Sequence, residues 1–186
     1  MPLHIFEPRY KLMIGKCLEE KSEFGVVLAT REGAARVGCT AEILSVVKKY
    51  DDGRMEIATV GRRRFRVAEL FEDRPYLQGR VEFLLDEAGP FGDPETARRL
   101  RELYREAARL ALGGEPAELG DDENGSLSYR IAAALPLELS AKQRLLEERS
   151  EAERREVLLE ALEEWLSRAR KLESARRRAG GNGFGR

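Results

Sequence analysis

The chain has 186 residues, 42% hydrophobic and 36% charged, with 33 basic against 34 acidic side chains and a formal net charge of -1. That balance excludes a chain-wide field able to steer nucleic acid or acidic lipid and leaves only local patches. Two cysteines exclude a disulfide framework, and no apolar run approaches the ~20 residues of a membrane span.

The length suits one domain or two small ones. Cys17 and Cys39 could pair, but they read as small buried thiols, and a reducing cytoplasmic setting is expected. MPLHIFEPRY carries charge by position 7, so it does not read as a signal peptide.

In chain order, Pro8 suits the first turn of a helix. Tyr10, Met13, Ile14, Cys17 and Leu18 then form one apolar face, and the helix is expected to end near Lys21-Ser22. Phe24 to Ala29 reads as a short buried strand. Ala41 to Lys49 and Met55 to Val60 flank Asp51-Asp52-Gly53, a hairpin signal because Gly accepts positive φ. Arg62, Arg64 and Arg66 then alternate with Arg63, Phe65 and Val67, with the second set facing inward from Phe65. Leu77, Val81, Phe83 and Leu85 recur at period two, opposite Gln78, Arg80 and Glu82.

The character changes near residue 90, at Asp86 to Gly92. Asp93-Pro94 opens a helix with a stripe of Leu100, Leu103, Tyr104, Ala107 and Leu110. An acidic loop runs from Gly113 to Gly125, and its segment Gly120 to Ser126 would repel phosphate. A short helix spans Leu127 to Ala134. Ser140 with Gln143 and Ser150 with Glu153 match the capping-box pattern, which predicts a break near residue 150. The last helix is long, with a packing seam of Leu158, Leu162, Trp165, Ala169 and Leu172. Glu151–Arg155 and Glu164–Arg168 support it at i, i+4.

Several segments match one ordered pattern. PLHIFEPRYKLMI, FGVVLA, VGCTAEILSVVKKYDDGRMEIATVGRRRFRV and PYLQGRVEFLLDE resemble the amino-terminal substrate-binding domain of Lon proteases. LSYRIAAALPLELSAKQRLLEE resembles its helical extension, including Lys142-Gln143-Arg144-Leu145-Leu146-Glu147. The resemblance covers roughly residues 2–172. It implies an α+β fold: a PUA-like, mostly antiparallel β-barrel with one inserted helix, then an α-helical bundle. The expected division is residues 1–90 as barrel, 91–178 as bundle and 179–186 as a flexible tail. The family has an opening strand and a Pro-Gly turn before PLHIFEPRY, so the barrel is expected to lack a strand: either the start is assigned too late, or the protein tolerates an open edge prone to self-association.

The resemblance implies a non-catalytic module linked to protein quality control, whose partners are unfolded or tagged protein segments or a protease acting in trans, with no membrane. No phosphate-binding loop is present. Ser140 and Lys142 read as helix residues and not as a catalytic dyad, and a zinc site would need about four ligands where His4 and two separated cysteines are on offer. No cofactor, metal or catalytic residue is assigned. His4 reads as a structural hydrogen-bonding residue.

The candidate contacts are the Arg62, Arg64 and Arg66 strand, the aromatics Tyr50, Phe71 and Tyr76 at loop ends, and Glu7 and Arg9 at a helix entrance where free N–H groups can hold an anion. For each of these the plainer reading stands beside the functional one: a charged strand face, ordinary aromatic packing, or Glu7 as a helix cap with Arg9 paired to a neighbour. The second functional reading is a PUA-like RNA-binding protein using Arg62 to Arg66, with phosphate as its ligand.

Overall fold

In the computed structural model, which describes residues 1–31, 33–120 and 126–181, the chain divides into two units, Met1–Leu85 and Asp86–Arg186. Part of the acidic loop, residues 121–125, and the tail from residue 182 lie outside the described residues.

The first unit runs β1 (Pro2–Ile5), α1 (Pro8–Glu20), β2 (Phe24–Thr30), β3 (Gly33–Lys49), β4 (Met55–Phe71) and β5 (Gln78–Phe83). Its antiparallel sheet has the order β1-β4-β3-β2, with β5 also on β4. β3 follows β4 from Val37↔Arg66 to Lys49↔Met55. The other edge of β4 is shared by β1, against Met55 to Ala58, and β5, against Phe65 to Phe71. The expected barrel is corrected here. Among the described residues no pairing joins β2 to β1, so the sheet stays open.

The hairpin turn follows the sequence reading. Gly53 has φ +80°, its N–H donates to Tyr50 O at 2.9 Å, and Tyr50 N donates to Arg54 O at 2.9 Å. Two strands are longer than their apolar runs. Residues 33–40 extend β3, and β4 passes through Gly61 without a break. Small and basic residues carry no period-two signal there, and ladder bonds alone keep the backbone extended. The bulge between Cys39 and Ala41 is tied by Thr40, whose hydroxyl accepts from Arg63 N at 3.0 Å and donates to Arg63 O at 3.3 Å.

The core of this unit gathers Ile5, Ile14, Cys17, Phe24, Ala41, Met55 and Ile57. Ile14 and Cys17 come from the expected face of α1, while Leu18 is exposed. β2 is half-exposed beyond Phe24, not buried. The apolar side of β5 is not covered either, with Leu77 and Phe83 exposed. Both cysteines are free thiols, Cys17 buried and Cys39 half-buried, and burial pushes the Cys39 thiol up from its ordinary value.

The second unit has α2 (Pro94–Leu112), α3 (Leu127–Ala134), α4 (Leu139–Glu147) and α5 (Glu151–Gly181). Leu100, Leu103, Tyr104 and Ala107 of α2 pack with Leu127, Ile131, Leu145, Leu158, Leu162 and Leu166. The seam of α5 is therefore Leu158-Leu162-Leu166. Trp165 packs at its margin and Leu172 is 64% exposed. An i, i+4 spacing drifts only slowly around a 3.6-residue helix, so three leucines share the face and Trp165 stands about 100° from Leu166.

The two capping expectations part ways. Ser150 accepts from Glu153 N at 3.4 Å and its carbonyl takes Arg154 N at 2.9 Å, which starts α5. Ser140 lies inside α4, one residue after its first position, and Gln143 instead bonds Glu147 at 2.7 Å.

Glu151 does more than support a surface. It is 5% exposed, accepts from Ser128 N at 3.2 Å and Ser128 Oγ at 2.7 Å, and holds Arg154 at 3.0 Å and Arg155 at 3.1 Å. Its carboxylate thereby satisfies a free N–H at the start of α3. Arg154, fully buried, also reaches both carboxylate oxygens of Asp86, at 2.8 and 3.3 Å, and lies 4.6 Å from the Tyr129 ring centre.

Candidate functional site

The outer side of the sheet near the β3–β4 hairpin gathers polar and aromatic groups from three strands. His4 of β1 stands opposite Glu56 of β4, and Glu56 opposite Lys48 of β3. Antiparallel pairing puts directly opposed side chains on one face. His4 Nδ1 lies 4.0 Å from Glu56 Oε1, and the Tyr50 hydroxyl donates to that oxygen at 2.6 Å. The His4 ring stacks on Phe6 at 5.9 Å and meets Tyr50 edge-on at 6.1 Å.

Two cations frame Tyr50, with Lys48 at 4.5 Å and Arg54 at 4.8 Å from the ring centre. Arg54 grips Asp52: its backbone N–H, then its guanidinium, hold the Asp52 carboxyl below the usual range. Lys11 of α1 donates to Asp52 O at 2.8 Å, which ties the helix to the hairpin. Phe6, stacked on His4, is 58% exposed. This surface can bind through ring faces, apolar contact and backbone groups.

The eight sequence-predicted contacts do not converge. Tyr50 joins the cluster just described. Glu7 and Arg9 lie beside it at the start of α1, where Arg9 Nε donates to Glu7 at 2.8 Å and its guanidinium sits 4.6 Å from the Tyr10 ring centre. Glu7 makes no side-chain cap to the helix. Its carboxylate neutralises Arg9 and does not leave a vacant anion site.

The basic strand is broken up. Arg62 bonds Glu42, and Arg63 bonds Glu23 at 3.1 Å while lying over Phe83 at 4.0 Å. Arg64 is buried at 8% exposure. Alternation predicts one exposed face for 62, 64 and 66, but β3 flanks Arg64 and its carbonyl also takes Leu84 N at 2.9 Å. Chain on both sides shields it. Arg66 is exposed, opposite Glu82. Phe71 is exposed at the end of β4, whereas Tyr76 is buried in the β4–β5 connection.

The sequence reading missed Phe6, Lys48 and Glu56 as neighbours of Tyr50 and took His4 as structural. Only the register Pro2↔Ala58 to Ile5↔Met55 brings them together. The exposure of Phe6 within an apolar, nearly uncharged opening was the available signal.

Among the described residues no group of three or more His, Cys, Asp or Glu side chains could hold a metal ion. None of the described helices is long and apolar enough to cross a membrane. Ser140 and Lys142 are two apart on α4, where side chains do not face each other.

A family model described as the ATP-dependent protease La (LON) substrate-binding domain matches residues 1–164. The chain is similar to the Lon protease of Anaeromyxobacter dehalogenans (strain 2CP-C), 29% identical over 94% of this chain and 23% of that protein. It is likewise similar to Lon protease 2 of Myxococcus xanthus, 29% identical over 94% of this chain and 23% of that protein. It thus spans less than a quarter of the length of these relatives. Among solved structures, the Lon N-terminal domain protein from Xanthomonas campestris superposes with a TM-score of 0.65 and 26% identity, over 86% of this chain and 87% of that one. The N-terminal domain of Mycobacterium avium complex Lon protease, at 17% identity and a TM-score of 0.58 over 88% and 90% of the two chains, shares the fold.

Proposed function

The chain belongs to the ATP-dependent protease La (LON) substrate-binding domain family, and on that premise we propose that it is a recognition module for protein substrates in protein quality control. It binds exposed segments of unfolded or tagged proteins, or a protease acting in trans, by non-covalent contact, and performs no chemistry of its own. The observation that carries this reading is the match of the substrate-binding family over residues 1–164. The cluster around Tyr50, with the exposed Phe6 ring stacked on His4, is consistent with it, since aromatic groups beside apolar surface favour peptide contact.

RNA binding has less support. Arg62 and Arg63 are committed to Glu42 and Glu23, Arg64 is buried, and the net charge is -1.

The test compares a permanently unfolded protein, such as reduced and carboxymethylated α-lactalbumin, with the same protein in its native fold and with single-stranded RNA. The expected result is selective binding of the unfolded chain with weak dependence on salt, and no ATP hydrolysis or casein cleavage. Tight RNA binding that falls steeply with salt, or turnover that tracks one side-chain substitution, overturns the proposal.

A further inference from the structure

Strands β3 and β4 stay paired only as far as Val37↔Arg66. Beyond that pair they part. Residues 33–36 of β3 remain with β2, through Ala29↔Ala34 and Thr30↔Gly33, while residues 67–71 of β4 remain with β5, through Val67↔Val81 to Phe71↔Gln78. Each departing hairpin is bulged where the fork opens. The register shifts between Val27 and Ala29 in β2 and between Val67 and Glu69 in β4, and a bulge bends its strand and increases the local twist. The hairpins turn apart, and a groove of about 420 Å³ opens between them, within the size range of ligand sites.

Its walls are small and apolar. Val27, Ala34 and Ala35 line one, and Val67, Ala68 and Leu70 the other. Leu70 is 48% exposed, and the alanines leave room for another chain's backbone to come close. Two charged residues complete the lining, Arg36 and Glu69, and they are not equivalent. Glu69 is the register partner of Arg80 and holds it at 2.9 Å. Arg36 is exposed, and among the described residues it has no acidic partner. The groove therefore carries one uncompensated positive charge in an apolar lining.

We propose that this groove holds an extended segment of an unfolded polypeptide in which small apolar side chains flank one acidic residue, whose carboxylate pairs with Arg36. This rests on the recognition function proposed above and names where the segment lies and what it carries. The lining suits apolar side chains, and a guanidinium can meet a carboxylate with two parallel N–H donors. Bulged strands discourage edge-to-edge growth of a sheet, which favours a short segment over a second copy of the chain as the occupant.

The experiment uses the full chain and two short, unstructured, fluorescently labelled peptides of alanine, valine and serine, identical except for a central aspartate in one and a central lysine in the other. Anisotropy gives the affinities, and reduced and carboxymethylated α-lactalbumin serves as a general unfolded chain. Wild type is expected to bind the aspartate peptide at least about tenfold more tightly than the lysine peptide, and Arg36→Glu to invert that preference. Ala68→Trp fills the groove and is expected to weaken the aspartate peptide by about tenfold. Both positions are exposed, and urea midpoints equal to that of wild type establish that the variants fold. If Arg36→Glu keeps the wild-type preference, if Ala68→Trp binds the aspartate peptide as wild type does, or if wild type binds α-lactalbumin but neither peptide, the groove proposal is overturned while the recognition function stands. If wild type binds neither peptide nor the unfolded α-lactalbumin, the recognition function itself is overturned. If Ala68→Trp abolishes self-association, measured by light scattering, and leaves peptide affinity unchanged, the groove belongs to a second copy of the chain and the proposal is overturned.

Discussion

The ring of Phe65 lies against the backbone of Gly38. The two residues are register partners on β4 and β3, and a Cβ at position 38 would stand 2.7 Å from Phe65 Cζ and 2.5 Å from Val26 O. Phe65 is 3% exposed and also limits Gly25, where a Cβ would come within 3.1 Å of Cζ. A side chain from one strand thus occupies the space that two glycines leave on its neighbours. Gly38→Ala is expected to destabilise the chain by about 1–3 kcal/mol, the usual cost of overpacking, and Gly25→Ala by less, because its clash is only with the far end of the ring. Urea unfolding midpoints check this, and equal midpoints for wild type and Gly38→Ala would show that the sheet separates freely there.

Arg154 is buried with its charge, which costs stability unless partners compensate. It has Glu151 and Asp86 as carboxylate partners, and Glu151 also binds Ser128 and Arg155. Arg154→Ala leaves Glu151 partly unpaired in the interior and is expected to cost about 3–5 kcal/mol. Arg154→Met keeps most of the volume, and Arg154→Met with Glu151→Gln should recover stability relative to Arg154→Met alone. A double-mutant cycle with no coupling between positions 151 and 154 counts against a cooperative network.

Leu162 has no exposed surface and Trp165 is half-buried. Leu162→Ala is expected to cost about 2–5 kcal/mol, and Trp165→Ala less than the roughly 3–5 kcal/mol of a fully buried tryptophan. Thermal unfolding of the two variants under one buffer decides the order. A larger loss at Trp165 would move the helix seam.

The Glu23 carboxyl is held below its ordinary range, first by the Thr40 hydroxyl and then by Arg63. The unfolded chain then binds its proton at higher pH than the folded chain does. The stabilisation is complete above the ordinary glutamate range and is lost as pH falls through the lowered folded value. Urea midpoints measured from neutral pH downward should fall less steeply for Glu23→Gln than for wild type below about pH 4.5. Parallel curves would show that Glu23 is not held by these partners in solution.

Much of the chain is legible in one dimension. Helix α1 is announced by Pro8 and an apolar face at i, i+3, i+4 and i+7, and the short α3 by its apolar run before Pro136. The hairpin is marked by Asp51-Asp52-Gly53, and the ordered motifs pointed to the family that the model of residues 1–164 matches. These signals are local, set by backbone preferences and the spacing of neighbouring side chains. The sequence by itself did not determine which residues stand together across strands. Period-two alternation placed Arg64 with Arg62 on an exposed face, and neighbouring chain buried it. An i, i+4 pair read as support for the last helix, Glu151–Arg155, became the centre of a buried network because Ser128 and Arg154 converge on the same carboxylate. His4, Tyr50, Glu56 and Lys48 meet only through the registers of three strands. A register shift of one residue turns every side chain of a strand to the other face, and that shift is set by tertiary pairing and bulges, which leave no periodic trace in the chain.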